Sequence, residues 1–253
     1  MKKKINLLNT SIYFFLSLIL LIFLIGYTCK YSKLSYCQIN FFKGILNENG
    51  FVENLQSVFL FFSIYYLIIT FKKFSLNKII RIFLIIKILA LIYYLGEEIS
   101  WGQHFFKWVS PEFFIINNNQ AETNLHNISN VLDQLPRTLV MIWCGLISIL
   151  FYFLKKNISL SYETRLIFIP TDLLLKISVI FLIFFLPDFI VDKFSLHPGH
   201  VLNGKDIPEA IFYDTISLNF LRLSEVHELI FCFYFLIYSI AFKQSGDRQN
   251  KTF

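Results

Sequence analysis

Two adjacent carboxylates, Glu97 and Glu98, close an apolar run, and Ser100, Gln103 and His104 follow at once. Further on, Glu122, Asn124 and His126 stand together in a polar segment. Carboxylates and imidazoles at this density can move protons, hold a divalent cation, or orient a polarised ester, amide or phosphate. Glu122 and His126 are four residues apart, which on a helix makes a workable pair of metal ligands. If the helix before them continues past Gly96, then Glu97, Ser100 and His104 share one face. Glu53 and Gln56, at the start of an earlier apolar run, also share a helix face, as do Glu225 and Glu228 near the last one. His227 points elsewhere unless the helix start is irregular. The expected roles follow. Glu97 or Glu98 acts as general base. Glu53, Glu98, His104, Glu122, His126, Glu225 and Glu228 are candidate ligands of a divalent metal. His126 is alternatively an acid/base partner, and Ser100, Gln103 and Asn124 orient a substrate.

Each of these residues also has a purely structural reading. Glu97-Glu98 could be a solvated helix end. Glu225 and Glu228 suit a helix N-terminus, where acidic groups are favoured by about 0.3–1 kcal/mol. His126, between Asn124 and Asn127, could be a hydrogen-bonding loop residue. His197 and His200 flank Pro198-Gly199, which reads first as a turn. Trp101, Trp108 and Trp143 read as interface anchors or packing residues.

The elements that must position these groups are membrane spans. The chain is 56% hydrophobic and 19% aromatic, with only 16% charged residues. Several apolar runs reach the roughly 20 residues that cross ~30 Å of hydrocarbon. The net charge of +6 lies in short basic clusters between those runs, a pattern of topology signals that speaks against a nucleic-acid partner. Cys29, Cys37, Cys144 and Cys232 show no metal-binding or redox spacing. Cys144 and Cys232 sit in apolar runs as small packing residues, and a Cys29–Cys37 disulfide would need an oxidising compartment.

The expected fold is all-α: a single polytopic transmembrane bundle of about six spans, over residues 11–28, 52–71, 79–96, 136–154, 173–189 and 224–242. Lys2-Lys3-Lys4 precede the first run, which reads as an uncleaved span. Asn47-Glu48-Asn49-Gly50 reads as a turn before the second. Lys87 lies inside the third, either snorkelling or facing the bundle. The segment after the third span is rich in Phe and Trp and reads as interfacial, with Ser110-Pro111-Glu112 as a helix start. Asp188 sits near the exit of the fifth span. Basic clusters fall at the N-terminus, at 72–81, at 155–165 and at the C-terminus, so both termini are expected on the cytoplasmic side of a bacterial inner membrane. Most of the acidic residues then face outward.

Gly96-Glu97-Glu98-Ile99-Ser100-Trp101-Gly102-Gln103 and Gln120-Ala121-Glu122-Thr123-Asn124-Leu125-His126-Asn127 resemble the motifs of an uncharacterised family of bacterial multi-pass membrane proteins. The approach to the second span, Asn47 to Glu53, resembles the same family. The likeness covers roughly residues 47–127 and implies no particular activity. A weaker likeness, at Ser100 and His104, is to the alkaline ceramidase and progestin-receptor-like membrane hydrolases, which hold zinc with Ser, Asp and three His. Their paired C-terminal histidines are replaced here by Glu225-Val226-His227-Glu228. So carboxylate-rich a set suits Mg²⁺, Mn²⁺, Ca²⁺ or iron better than zinc.

The leading expectation is a membrane-embedded, metal-dependent hydrolase or transferase acting on a lipid or lipid-linked substrate at the outer leaflet. The alternatives are an ion-coupled carrier and a non-enzymatic assembly subunit. The bilayer is the expected partner, and the oligomeric state is not legible from the sequence.

Overall fold

The computed structural model describes residues 2–31, 50–73, 77–118, 121–154, 167, 172–193 and 223–249. Among them every regular element is helical. In order these are α1 (Lys2–Tyr31), α2 (Phe51–Lys73), α3 (Lys78–Glu98), a 3₁₀ turn (Ser100–Gly102), α4 (Gln103–Phe106), α5 (Glu112–Asn117), α6 (Asn130–Met141), a π-helical turn (Ile142–Ile147), α7 (Ser148–Leu154), α8 (Asp172–Lys193) and α9 (Leu223–Gln249).

Among the described residues, four helices are long and apolar enough to cross a membrane: Phe51–Lys73, Lys78–Glu98, Leu135–Leu154 and Glu225–Ser245. They match the expected second, third, fourth and sixth runs. The first run lies within α1, whose apolar helical stretch is the shorter Thr10–Ile22, and the fifth lies within α8. Pro136 stands near the start of the fourth span, as expected. It also lies inside α6, which begins earlier, at Asn130, with Ser129 as its N-cap, Oγ accepting from Leu132 N at 3.3 Å.

The chain divides into two compact units, Met1–Val52 with Val179–Glu228, and Glu53–Ser178 with Leu229–Phe253. In the first unit, α1 buries Ile12, Phe15, Ile19 and Ile22, a spacing of three and four residues that makes one apolar stripe. His227 is buried there between the rings of Phe181 and Phe185, at 5.9 and 5.7 Å between centroids.

The second unit carries the candidate site. Its centre is the C-terminal part of α9, buried on nearly every side from Leu229 to Phe242. Hydroxyls inside the apolar helices are satisfied locally: Ser63 donates to the Phe59 carbonyl at 2.7 Å, Thr70 to Tyr66 at 2.8 Å and Ser239 to Phe235 at 2.8 Å. An unmet donor in hydrocarbon is expensive, and the i−4 carbonyl is the nearest acceptor. At one end of the unit, Lys73 at the close of α2 pairs with Asp247 near the close of α9 at 2.7 Å.

The turn at Asn47–Asn49, Cys37, the basic residues at 155–165, and His197 with His200 lie outside the described residues, as do the side chains of Cys29, His104 and Asp188.

Candidate functional site

The third helix does not continue past the Glu97-Glu98 pair. Asn77 opens α3, its side chain accepting from Ile80 N at 2.8 Å, and the helix closes at Glu98. Ser100 and Trp101 then adopt left-handed φ values of 46° and 54°, and Gly102 follows at 99°. Only glycine takes that last value without strain. The shared face expected for Glu97, Ser100 and His104 on a continuing helix is therefore not formed. The chain reverses instead, and a second left-handed pair, Lys107 and Ala121, shapes the loop that returns.

The reversal lays residues 121–127 against the end of α3. Glu97 is buried, so it is not the solvated helix end of the simpler reading. Its Oε1 accepts from Trp101 Nε1 at 2.9 Å. Its Oε2 accepts from the backbone N–H of Leu125 at 2.7 Å and of His126 at 2.9 Å, and stands 3.4 Å from His126 Nδ1. A buried carboxylate is tolerable only with this density of donors, because each lone pair removed from water needs a replacement.

A second knot adjoins the first. Ser100 Oγ donates to Glu122 Oε2 at 2.7 Å, and Asn124 Nδ2 donates to both Ser100 Oγ at 3.0 Å and Glu122 Oε2 at 2.8 Å. Asn118 Nδ2 reaches the Asn124 backbone carbonyl at 2.9 Å and Oδ1 at 2.8 Å. Gln103 pins the loop from the other side. Its Oε1 accepts from Thr123 N at 2.7 Å, and its Nε2 donates to Ser110 Oγ at 2.9 Å.

Ser110 does not cap α5 as the sequence suggested. Its Oγ donates to the Ala121 carbonyl at 2.6 Å, and the helix starts at Glu112 behind Pro111 with no side-chain cap. Glu122 and His126 are not one helical turn apart on a single face, because 121–129 is not helical. Glu122 points its carboxylate to Ser100, while His126 meets Glu97.

Of the expected residues, Glu97, Ser100, Gln103, Glu122, Asn124 and His126 come together in this knot. Glu98 is partly exposed at the last position of α3. Glu53 is partly exposed in the first turn of α2, and Gln56, one turn on, is buried. Glu225 and Glu228, at the start of α9, belong to the other unit. Sequence reading missed Trp101, Ser110, Asn118 and Thr123 as members. The i, i+4 spacing of Glu97 and Trp101 was the one usable signal, since Asn118 and Thr123 are recruited only by the reversal.

The edge of the knot is apolar and open. Phe105, Phe106, Trp108, Val109, Phe113 and Ile116 are all exposed. Phe106 and Trp108 stack at 6.0 Å, and Trp108 Nε1 points back to Thr123 Oγ1 at 3.3 Å.

Among the described residues no three His, Cys, Asp or Glu side chains are grouped to hold a metal ion. Both Glu97 oxygens already accept from N–H donors. The arrangement as it stands can hold a carboxylate in place, orient an imidazole and fix a hydroxyl on a second carboxylate. No family model, curated protein or solved structure matches the chain.

Proposed function

We propose that this is a membrane-embedded hydrolase or transferase acting on a lipid or lipid-linked substrate, with His126 as its general acid/base and Glu97 as the group that positions it. The observation that carries this reading is the contact between the imidazole of His126, 34% exposed, and the carboxylate of Glu97, 5% exposed. An N–H at Nδ1 directed to Glu97 puts the ring's lone pair on Nε2. That nitrogen takes the proton of a water or acceptor hydroxyl as it attacks, and returns it to the leaving group. The buried carboxylate stabilises the imidazolium between the two steps. The 3.4 Å separation is long for a hydrogen bond and would tighten with substrate bound.

The exposed aromatic rim supports a lipid as the substrate class. Phe, Trp and Val side chains around a polar site favour the bilayer interface, where an ester, amide or phosphate of a lipid is presented at matching depth. In this reading the segment from Ser100 to Asn117 lies at that interface. The apolar stretches of α1 and α8 bring the spans to about six, and both termini are cytoplasmic in a bacterial inner membrane, so the site faces outward. A metal-dependent form of the reaction, with Glu98 and His126 as ligands, is separated from the metal-free form by elemental analysis of the purified protein beside Glu98→Ala and His126→Ala.

The full satisfaction of Glu97 favours a second reading, a structural staple at the end of α3. The test is the lipid composition of host cells expressing the wild type, His126→Ala or Glu97→Gln at equal protein level. A lipid class that changes with the wild type and returns to baseline in His126→Ala supports the enzyme. Unchanged lipids across all three, with folded protein present, would sink it in favour of the staple.

A further inference from the structure

The carboxylate-rich knot occupies one end of the second unit, and the opposite end is basic. α2 starts with Glu53 in its first turn and closes on Lys72 and Lys73, while α3 returns from Lys78 to Glu97 and Glu98. The last turns of α9 come to the same basic end, where Asp247 pairs with Lys73 at 2.7 Å. The other described carboxylate on this side, Asp172 at the start of α8, has Lys176 one turn on. Lys72, Lys78, Arg81 and Lys243 are then in excess, the first three of them exposed.

These cations come from helices far apart in the sequence and are gathered along α2. The Arg81 guanidinium lies 5.4 Å from the ring centroid of Phe71, and the Lys243 ammonium lies 5.2 Å from that of Tyr66. Both rings belong to the closing turns of α2. A ring face restrains a long cationic side chain, so less of its freedom is lost when an anion arrives. A topology signal needs only basic residues somewhere in a loop. It does not require α3 and α9 to bring theirs to one helix end.

The surface next to the cations is apolar. Ile79 and Ile82, neighbours of Lys78 and Arg81, are exposed, and Ile86 and Leu89 continue the stripe along α3 at spacings of three and four residues. A phosphate held at Lys78 and Arg81 therefore has a ready path for hydrocarbon chains beneath it. Free phosphate would make no use of that stripe, whereas an amphiphile uses both parts. We propose that this end of the unit is a docking surface for an anionic phospholipid of the adjoining leaflet. Lys78 and Arg81 hold its phosphate, Lys72 and Lys243 add to the attracting field, and its chains lie along Ile79, Ile82, Ile86 and Leu89. Each basic side chain near an anionic headgroup strengthens association by about fivefold.

The test adds equimolar phosphatidylglycerol and phosphatidylcholine, with matched acyl chains, to the full-length protein in a neutral detergent. Native mass spectrometry reads the ratio of the two in the singly bound protein. The expected preference for phosphatidylglycerol is about fivefold or more. Lys78→Gln and Arg81→Gln should each lower it, and Arg81→Lys should keep it. Lys107→Gln, which removes one positive charge from the opposite end, should leave it unchanged. Equal binding of the two lipids by the wild type overturns the proposal. So does a preference that survives in both Lys78→Gln and Arg81→Gln, with helicity checked by circular dichroism. A fall in Lys107→Gln as large as theirs also overturns it, because net charge and not this surface would then be the cause. The readout is binding at the end away from His126, so it stands or falls apart from the reaction proposed there.

Discussion

Trp101 lies across Gly96 so closely that a Cβ on the glycine would meet three indole carbons at 2.9 Å. The same indole donates to Glu97, so one ring both covers the helix end and satisfies the buried carboxylate. Gly96→Ala must push the ring outward and loosen that bond. The expected loss is about 1–3 kcal/mol, as for other overpacking changes, seen as a lower midpoint of thermal unfolding in detergent and a red-shifted tryptophan emission. An unchanged midpoint would mean that the indole moves without loss.

Glu97 and His126 should separate when substituted. In Glu97→Gln an amide NH₂ must face one of the N–H donors that now meet a carboxylate oxygen, leaving that donor unpaired. The expected destabilisation is at least about 1–3 kcal/mol. His126→Ala keeps the backbone N–H that bonds Glu97 and removes only the imidazole. Its midpoint should stay close to wild type, while the rate at which the lipid substrate is consumed falls by ~10²–10⁴-fold. Equal thermal destabilisation by both variants would make His126 a structural residue.

Asn124→Asp tests the second knot. Asn124 is buried and donates to Ser100 and to Glu122, whereas an aspartate has no N–H to give and sets a carboxylate beside Glu122. Destabilisation of about 1–3 kcal/mol is expected, with partial recovery in Asn124→Asp/Glu122→Gln, where an amide again lies between the two. Lack of recovery would show that the Asn118 contacts, not Glu122, are what the asparagine serves.

Lys73 and Asp247 report topology. Their pair is exposed, so Lys73→Ala should cost less than about 1 kcal/mol. Cysteines at the two positions, with the native cysteines replaced, should be bridged by a short bismaleimide. They should react with an impermeant maleimide only in inverted vesicles. Labelling from the outside of intact cells would reverse the proposed orientation.

The apolar runs were legible in the sequence because spanning hydrocarbon demands only length and composition, which a linear pattern carries. Glu97, Ser100, Glu122 and His126 stood out for a similar reason: polar and ionisable groups beside such runs need partners. The tertiary structure alone decided what those partners were. Glu97 meets Leu125 and His126 because Ser100, Trp101 and Gly102 turn the chain through left-handed conformations. Helical periodicity, which extends a face past Gly96, cannot foresee such a turn. The same holds for Lys87. Its place in an apolar run was plain, but its direction depended on Trp143, Phe235 and Tyr238, brought to it by other helices. Composition and periodicity are local quantities, and the pairing of buried polar groups is settled by contacts between segments far apart in the chain.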